Sequence, residues 1–116
     1  MRTKIRLALA GLATLVLAAC SSIPSATDIP ANIANATTAT DHLRIADYFA
    51  QKAQAYDADA LSHRKMAISY IGRSNKVELA SMRSHCQALE SQLISAAKEV
   101  RALEQAHRQL AAGIGQ

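Results

Sequence analysis

Apolar residues recur every three or four positions along two long stretches of the chain, separated by a short polar break. The first stretch follows Thr38-Ala39-Thr40-Asp41, a pattern typical of a capped helix start. Gly72-Arg73-Ser74-Asn75 then interrupts the period, and Gly72 suits a helix C-terminus. The pattern predicts helix 1 at 38–71, a turn at 72–75, helix 2 at 76–112 and a tail at 113–116.

The second stretch has the more regular apolar period, which alternates steps of three and four residues as a coiled-coil heptad does. Its members are Leu79, Met82, Cys86, Leu89, Leu93, Ala96, Val100, Leu103, His107 and Leu110. Helix 1 carries a looser version at Ile45, Phe49, Ala53, Tyr56, Ala60, His63, Ala67 and Tyr70. The two stripes predict that the helices pack against each other.

A connection of about four residues makes two helices antiparallel neighbours, with facing residues whose numbers add up to about 149. Large residues then meet small ones, as Ala67 meets Met82. The predicted fold class is therefore all-α, an antiparallel two-helix hairpin. Because one seam between two helices buries little apolar surface, we expect self-association into a bundle, or completion by another protein.

The first twenty residues have the layout of an export signal. Arg2, Lys4 and Arg6 precede a short apolar run, Leu7–Leu17, which falls short of the ~20 residues that span a bilayer. Leu17-Ala18-Ala19-Cys20 resembles the lipobox of bacterial lipoprotein precursors. The resemblance implies that residues 1–19 are removed and that Cys20 is acylated. Acyl chains would then anchor the protein to a membrane.

Ser21 and Ser22 follow the cysteine, without the Asp that signals inner-membrane retention in sorted lipoproteins. The resemblance implies a location at the outer membrane, facing the periplasm, with inner-membrane retention as the alternative. Residues 20–37 hold both prolines and show no sustained apolar period, so they are interpreted as a flexible tether. The alternative is that Ile23, Ile29 and Ile33 dock on the helices.

Removal of the signal changes the charge of the chain. Three of its 13 Lys and Arg residues lie in the signal, and the remaining 10 face 9 acidic residues, a formal charge of +1. With no basic cluster and no Trp, the composition argues against a nucleic-acid partner.

The hairpin register brings the histidines and the second cysteine into two clusters. His63 falls opposite Cys86 with His85 beside it, and His42 falls opposite His107. Imidazole and thiolate are ligands for zinc and copper, which makes a metal site one hypothesis. Plain packing and helix capping are the safer interpretation, and a disulfide from Cys86 to a second chain is a third.

No catalytic motif is present, so we expect no enzyme activity and no obligatory cofactor. The sequence favours a non-catalytic, lipid-anchored envelope lipoprotein that acts as a structural or interaction module. It is similar to the small alanine-rich outer-membrane lipoproteins of the murein-lipoprotein kind. It departs from them by its mid-chain turn and by a C-terminal stretch without Lys, Gly113–Gln116. The alternative is a periplasmic copper- or zinc-binding module that uses the His/Cys clusters.

Overall fold

A computed structural model describes residues 28–72 and 77–114 of the chain. These residues form three helices: α1 (Ile29–Asn35), α2 (Ala39–Ser69) and α3 (Val77–Ile114). The described part contains no strand, and α2 and α3 pack closely along their lengths. Contacts of His42 with His107 and of Arg64 with Glu90 show that they run antiparallel. The all-α prediction is confirmed, and so is the close packing of the two long helices.

The start of α2 is fixed by the capping box expected from the sequence. The Asp41 backbone N–H donates to Thr38 Oγ1 at 3.1 Å, and the Thr38 backbone N–H donates to Asp41 Oδ2 at 3.0 Å. The Thr38 hydroxyl also donates to Asp41 Oδ2, at 2.7 Å. These hydrogen bonds hold the pKa of Asp41 below its ordinary value. Donors that an isolated helix end would leave unpaired are thereby satisfied.

The other helix ends differ from the prediction by one or two residues. α2 ends at Ser69, and Gly72 then has φ of +81°, the left-handed region that glycine adopts at low cost. α3 extends to Ile114, so Gly113 lies inside its last turn rather than ending the helix at residue 112. Residues 73–75 of the predicted turn, and residue 76, at which helix 2 was predicted to begin, lie outside the described residues.

A short helix occupies part of the predicted tether. Residues 20–37 were expected to be flexible, yet 29–35 form α1, which packs on α2. Pro30 is suited to the first helical turn because its φ is already fixed, and Asn32 donates from its side chain to the Asp28 carbonyl at 2.8 Å. Ile29 is buried, as the docking alternative required, whereas Ile33 is exposed and Ile23 lies outside the described residues.

The predicted face of α2 is confirmed. Its buried members are Ile45, Phe49, Ala53, Ala60 and Ala67, and its half-buried members are Tyr56, His63 and Tyr70. Ala46 is also buried. Four of these residues are alanines spaced seven apart, at 46, 53, 60 and 67, so α2 presents a ridge of small side chains to α3.

Four of the ten predicted seam positions of α3 are wrong. One seven-residue series, here named the central series, is half-buried as expected, at Leu79, Cys86, Leu93, Val100 and His107. In the second predicted series Ala96 is half-buried, but the other four members are exposed: Met82 48%, Leu89 42%, Leu103 47% and Leu110 52%. The place of this series in the seam is taken by residues one position further on, namely Arg83, Glu90, Ala97, Glu104 and Ala111. α3 is thus rotated about its axis relative to the prediction.

Ion pairs account for part of this rotation. Among the described residues, three pairs join α2 to α3: Arg64 Nε to Glu90 Oε1 at 2.6 Å, Arg108 to Asp47 at 3.2 Å, and Arg101 to Asp57. In a heptad, positions three and four residues beyond the central series lie about 50° to opposite sides of it. Glu90 is four residues beyond this series, and Arg101 and Arg108 are one residue beyond it, about 100° around the helix on the same side as Glu90. The ion pairs therefore lie on one edge of the hairpin, here named the charged edge. The opposite edge, named the leucine edge, carries Met82, Leu89, Ala96, Leu103 and Leu110.

Replacing Thr38 by Ala removes the capping oxygen from α2. We expect the free energy of unfolding to fall by about 1 kcal/mol, because Asp41 N–H loses its acceptor. Urea denaturation followed by circular dichroism measures the change. Thr40→Ala is the matched control, since Thr40 is exposed in the first turn and is not a member of the capping box. Equal losses for the two variants would contradict the role given to the cap.

Candidate functional site

His42 and His107 form a direct contact across the seam at the open end of the hairpin. Their Nδ1 atoms lie 3.1 Å apart, and the ring centroids are 5.3 Å apart. His42 belongs to the first turn of α2 and His107 to the last third of α3, so the antiparallel packing alone brings them together. At this distance one Nδ1–H donates to the other Nδ1 when both rings are neutral. The structure thus brings together this pair of sequence-predicted residues.

Apolar surroundings oppose a positive charge on this pair. His107 and His42 are half-buried, and the Phe49 ring lies 5.7 Å from the His107 ring. Burial, followed by the nearby His42, holds the pKa of His107 below its ordinary value of 6.5. The neutral form of the His107 ring is therefore favoured over its imidazolium form in the folded chain.

Two neutral imidazoles so placed can share a proton or bind a metal ion with their Nδ1 lone pairs. With Zn–N bonds of about 2.05 Å, nitrogens at this separation subtend an angle of about 100° at the ion. Such an ion would need further ligands. Within the described residues, no group of three or more His, Cys, Asp and Glu side chains comes together in a metal-binding arrangement. The pair by itself supplies two ligands.

The second predicted cluster is less well assembled. His63 and Cys86 are half-buried on the facing helices, and Cys86 is a free thiol. His85 is exposed beside it. His63 Nδ1 is buried without a hydrogen-bond partner among the described residues. The three-ligand site at His63, His85 and Cys86 stays a prediction. Cys20, the predicted lipidation site, lies outside the described residues.

The large side chains of the leucine edge were predicted to lie in the seam with α2, but the structure leaves them exposed. The four large side chains recur at intervals of seven or fourteen residues and are about half exposed. Near its C-terminal end, a shallow open groove of about 510 Å³ is lined by Ala106, Gln109, Leu110, Gly113 and Ile114. Glu90 and Glu104 are the sequence signal that could have distinguished this edge from the seam. Each follows a leucine of the edge directly and forms an ion pair with an arginine on the charged edge.

Comparison of the chain with known protein families, with curated proteins and with solved structures finds no match. None of the helices described between residues 28 and 114 is long and apolar enough to cross a membrane. The case for a function therefore depends on the residues themselves.

Lowering the pH should destabilise the hairpin through His107. Its pKa is lower in the folded chain than in the unfolded one, so the unfolded state takes up the proton first as the pH falls below 6.5. We expect the contribution of His107 to the free energy of unfolding to be at its maximum above that pH and to decrease below it. Urea denaturation at a series of pH values from about 7.5 to about 5 measures the slope.

His107→Leu should flatten this pH dependence, because the titrating ring is gone. His85→Leu is the matched control, since it removes an exposed imidazole from the same helix and should leave the slope unchanged. A slope that survives His107→Leu in full would show that the pair does not control the response.

Proposed function

We propose that this chain is a non-catalytic, lipid-anchored envelope lipoprotein that acts as a structural or protein-interaction module. The observation that carries the proposal is the combination of the lipobox pattern ending at Cys20 with a helical hairpin that exposes a regular apolar edge. The hairpin faces the periplasm at the outer membrane. A surface of this kind serves recognition of another helix rather than catalysis.

Self-association or another envelope protein completes the hairpin into a bundle. The small hydrophobic core of the hairpin supports this view. Among the described residues, Ile45 is the largest side chain to be fully buried, and most of the other buried residues are alanines. Alanine favours the helix but contributes little apolar burial. A partner that covers the leucine edge would supply the missing burial.

Acylation of Cys20 is tested by growing bacterial cells that express the full chain in the presence of labelled palmitate. We expect the label on the chain and the chain in the membrane fraction, because acyl chains bury their CH2 groups in the bilayer. Cys20→Ser should abolish both, and Cys86→Ser, which removes the other cysteine, should change neither. Label retained on the Cys20→Ser chain would overturn the assignment.

A second candidate function is a periplasmic copper- or zinc-binding module, and the observation that favours it is the 3.1 Å contact between His42 and His107. Further ligands would come from water or from a second chain, or the ion would be held at His63, His85 and Cys86. The first arrangement has a geometric basis in the structure. The second rests on the sequence register.

Titration of the reduced protein with Cu(I) or Zn²⁺ separates the two sites. If His42 and His107 bind the ion, the double substitution His42→Ala, His107→Ala should weaken binding by more than about tenfold, because loss of a mere outer-shell partner of a ligand already costs about that much. The double substitution His63→Ala, Cys86→Ala should leave that affinity unchanged. The reverse pattern would favour the His63 cluster, and no stoichiometric binding by the unaltered chain would end the metal hypothesis.

A further inference from the structure

We infer that the leucine edge of α3 is the contact surface for a second copy of this chain, with the two α3 helices packed antiparallel about Ala96. The inference rests on the proposed function, because it names the partner that completes the hairpin. It concerns five residues of α3, of which four are about half exposed and the central Ala96 is half-buried: Met82, Leu89, Ala96, Leu103 and Leu110.

Spacing and exposure make this edge a second coiled-coil seam. Its positions recur every seven residues over 28 residues, which is about 42 Å of helix. A seven-residue repeat keeps one stripe facing a partner helix along its whole length. Because the α2–α3 seam already uses the central series of α3, the edge remains open for a different helix.

Little charge stands beside this edge. The positions one residue before each of its members are Ser81, Ala88, Ser95, Ala102 and Gln109, all exposed and all uncharged. The nearer flank, three residues beyond each member, contains a single charged residue, Glu99. The inter-helix ion pairs of the described residues lie on the charged edge instead. Depletion of charge and small flanking side chains are typical of a contact between helices, because they allow close approach without desolvating charged groups.

The edge is complementary to itself. A two-fold dimer presents the same patch from both copies, so the patch must fit its own image. The order of side chains is large, large, small, large, large, with Ala96 at the centre. Rotation about Ala96 sets Leu89 against Leu103 and Met82 against Leu110, and it overlaps the two α3 helices along nearly their whole length.

The antiparallel direction follows from a difference between the two ends of the edge. Ala106, Gln109, Leu110 and Gly113 have the spacing of the four-residue hole that receives a knob from a facing helix. A Cβ built at Gly113 would meet nothing within 4 Å, so this hole is open. The long, unbranched Met82 of a second copy fills an irregular gap of this kind. A parallel pair would set Leu110 against Leu110 and Met82 against Met82.

A membrane surface is the other candidate occupant, and it fits less well. Helices that lie in a bilayer interface carry Lys and Arg beside the apolar face, where they meet anionic headgroups. On the outer side of the leucine edge, the positions three residues beyond and one residue before its members contain no Lys or Arg, and the one charged residue among them is the acid Glu99.

Cysteine cross-linking of the full chain in bacterial membranes tests the interface. In a Cys86→Ser background, Ala96→Cys should give a disulfide-linked dimer on oxidation, because the two residues meet at the dimer axis within reach of a disulfide. Ser91→Cys is the matched control. It is exposed on the same helix, two residues from Leu89 and therefore about 160° around the helix. Dimer from Ala96→Cys no greater than from Ser91→Cys would overturn the inference.

Direction is tested with cysteines at the two ends of the edge. A chain with both Met82→Cys and Leu110→Cys should cross-link, whereas a chain with Leu110→Cys alone should not, since antiparallel copies place these two Leu110 sites far apart. Cross-linking of the single Leu110→Cys chain at the level of the double variant would show parallel copies and overturn the antiparallel arrangement.

Paired substitutions of leucine provide a measure that does not depend on disulfide geometry. Leu89→Gln with Leu103→Gln should reduce the Ala96→Cys dimer at least about tenfold, whereas Leu61→Gln with Ile68→Gln should not. Leu61 and Ile68 are similarly exposed, but they lie on α2. Circular dichroism of both chains should show the same helicity, since none of the four residues belongs to the seam. A dimer that persists after Leu89 and Leu103 are replaced contradicts the inference.

Palmitate labelling of the same chains separates this inference from lipid anchoring. A chain that is labelled at Cys20 but does not cross-link refutes the interface and leaves the anchor intact. A chain that cross-links but carries no label supports the interface and refutes the anchor. Loss of the Leu89→Gln, Leu103→Gln chain from the membrane fraction, with no cross-linking by Ala96→Cys, would identify the bilayer as the occupant and overturn the dimer.

Discussion

The ridge of alanines on α2 is the constraint on which the rest of the structure depends. Ala46, Ala53, Ala60 and Ala67 are buried at intervals of seven, so α2 offers α3 a shallow surface along its whole length. On α3, the series four residues beyond the central one contributes the buried Ala97 and Ala111 and the half-buried Glu90 to the seam. Side chains of this kind let two helices approach closely while their charged heads stay in water. The rotation of α3 satisfies both requirements at once.

This choice of seam explains why the hairpin is apolar on one edge and charged on the other. Turning Glu90 and Glu104 toward the α2 side allows the first to meet Arg64 and the second to hold Arg108 at 2.9 Å, beside Asp47. The ion pairs are largely exposed and contribute little to stability, but they give the rotation a preferred direction. Met82, Leu89, Leu103 and Leu110 are turned outward as a consequence. Their exposure is therefore a product of the α2–α3 seam rather than an independent feature.

The sequence predicts the features that depend on local chemistry or on register. The Thr38–Asp41 cap, the buried face of α2 and the contact of His42 with His107 all follow from residue type, heptad spacing and turn length. The rotation of α3 does not follow from these rules. A heptad seam can combine the central series with the residues three positions beyond it or with those four positions beyond it. Hydrophobicity favours the leucine series, and the packing against alanine selects the other. α1 was missed because seven residues are too few for a periodic signal, and its stability depends on the docking of Ile29.

The proposed lipid anchor and the proposed antiparallel dimer would together restrict how the protein lies on a membrane. α3 is 38 residues long, or about 57 Å, so the dimer would be a rod of about that length. The N-terminus of α2 in one copy would lie near one end of the rod, and that of the other copy near the opposite end. Residues 20–28 span at most about 32 Å when fully extended. α1 adds seven helical residues, or about 10 Å. An upright rod would place one copy's tether beyond the reach of its own anchor. Two anchors in one bilayer would therefore exclude an upright bundle and require its long axis to tilt toward the membrane surface.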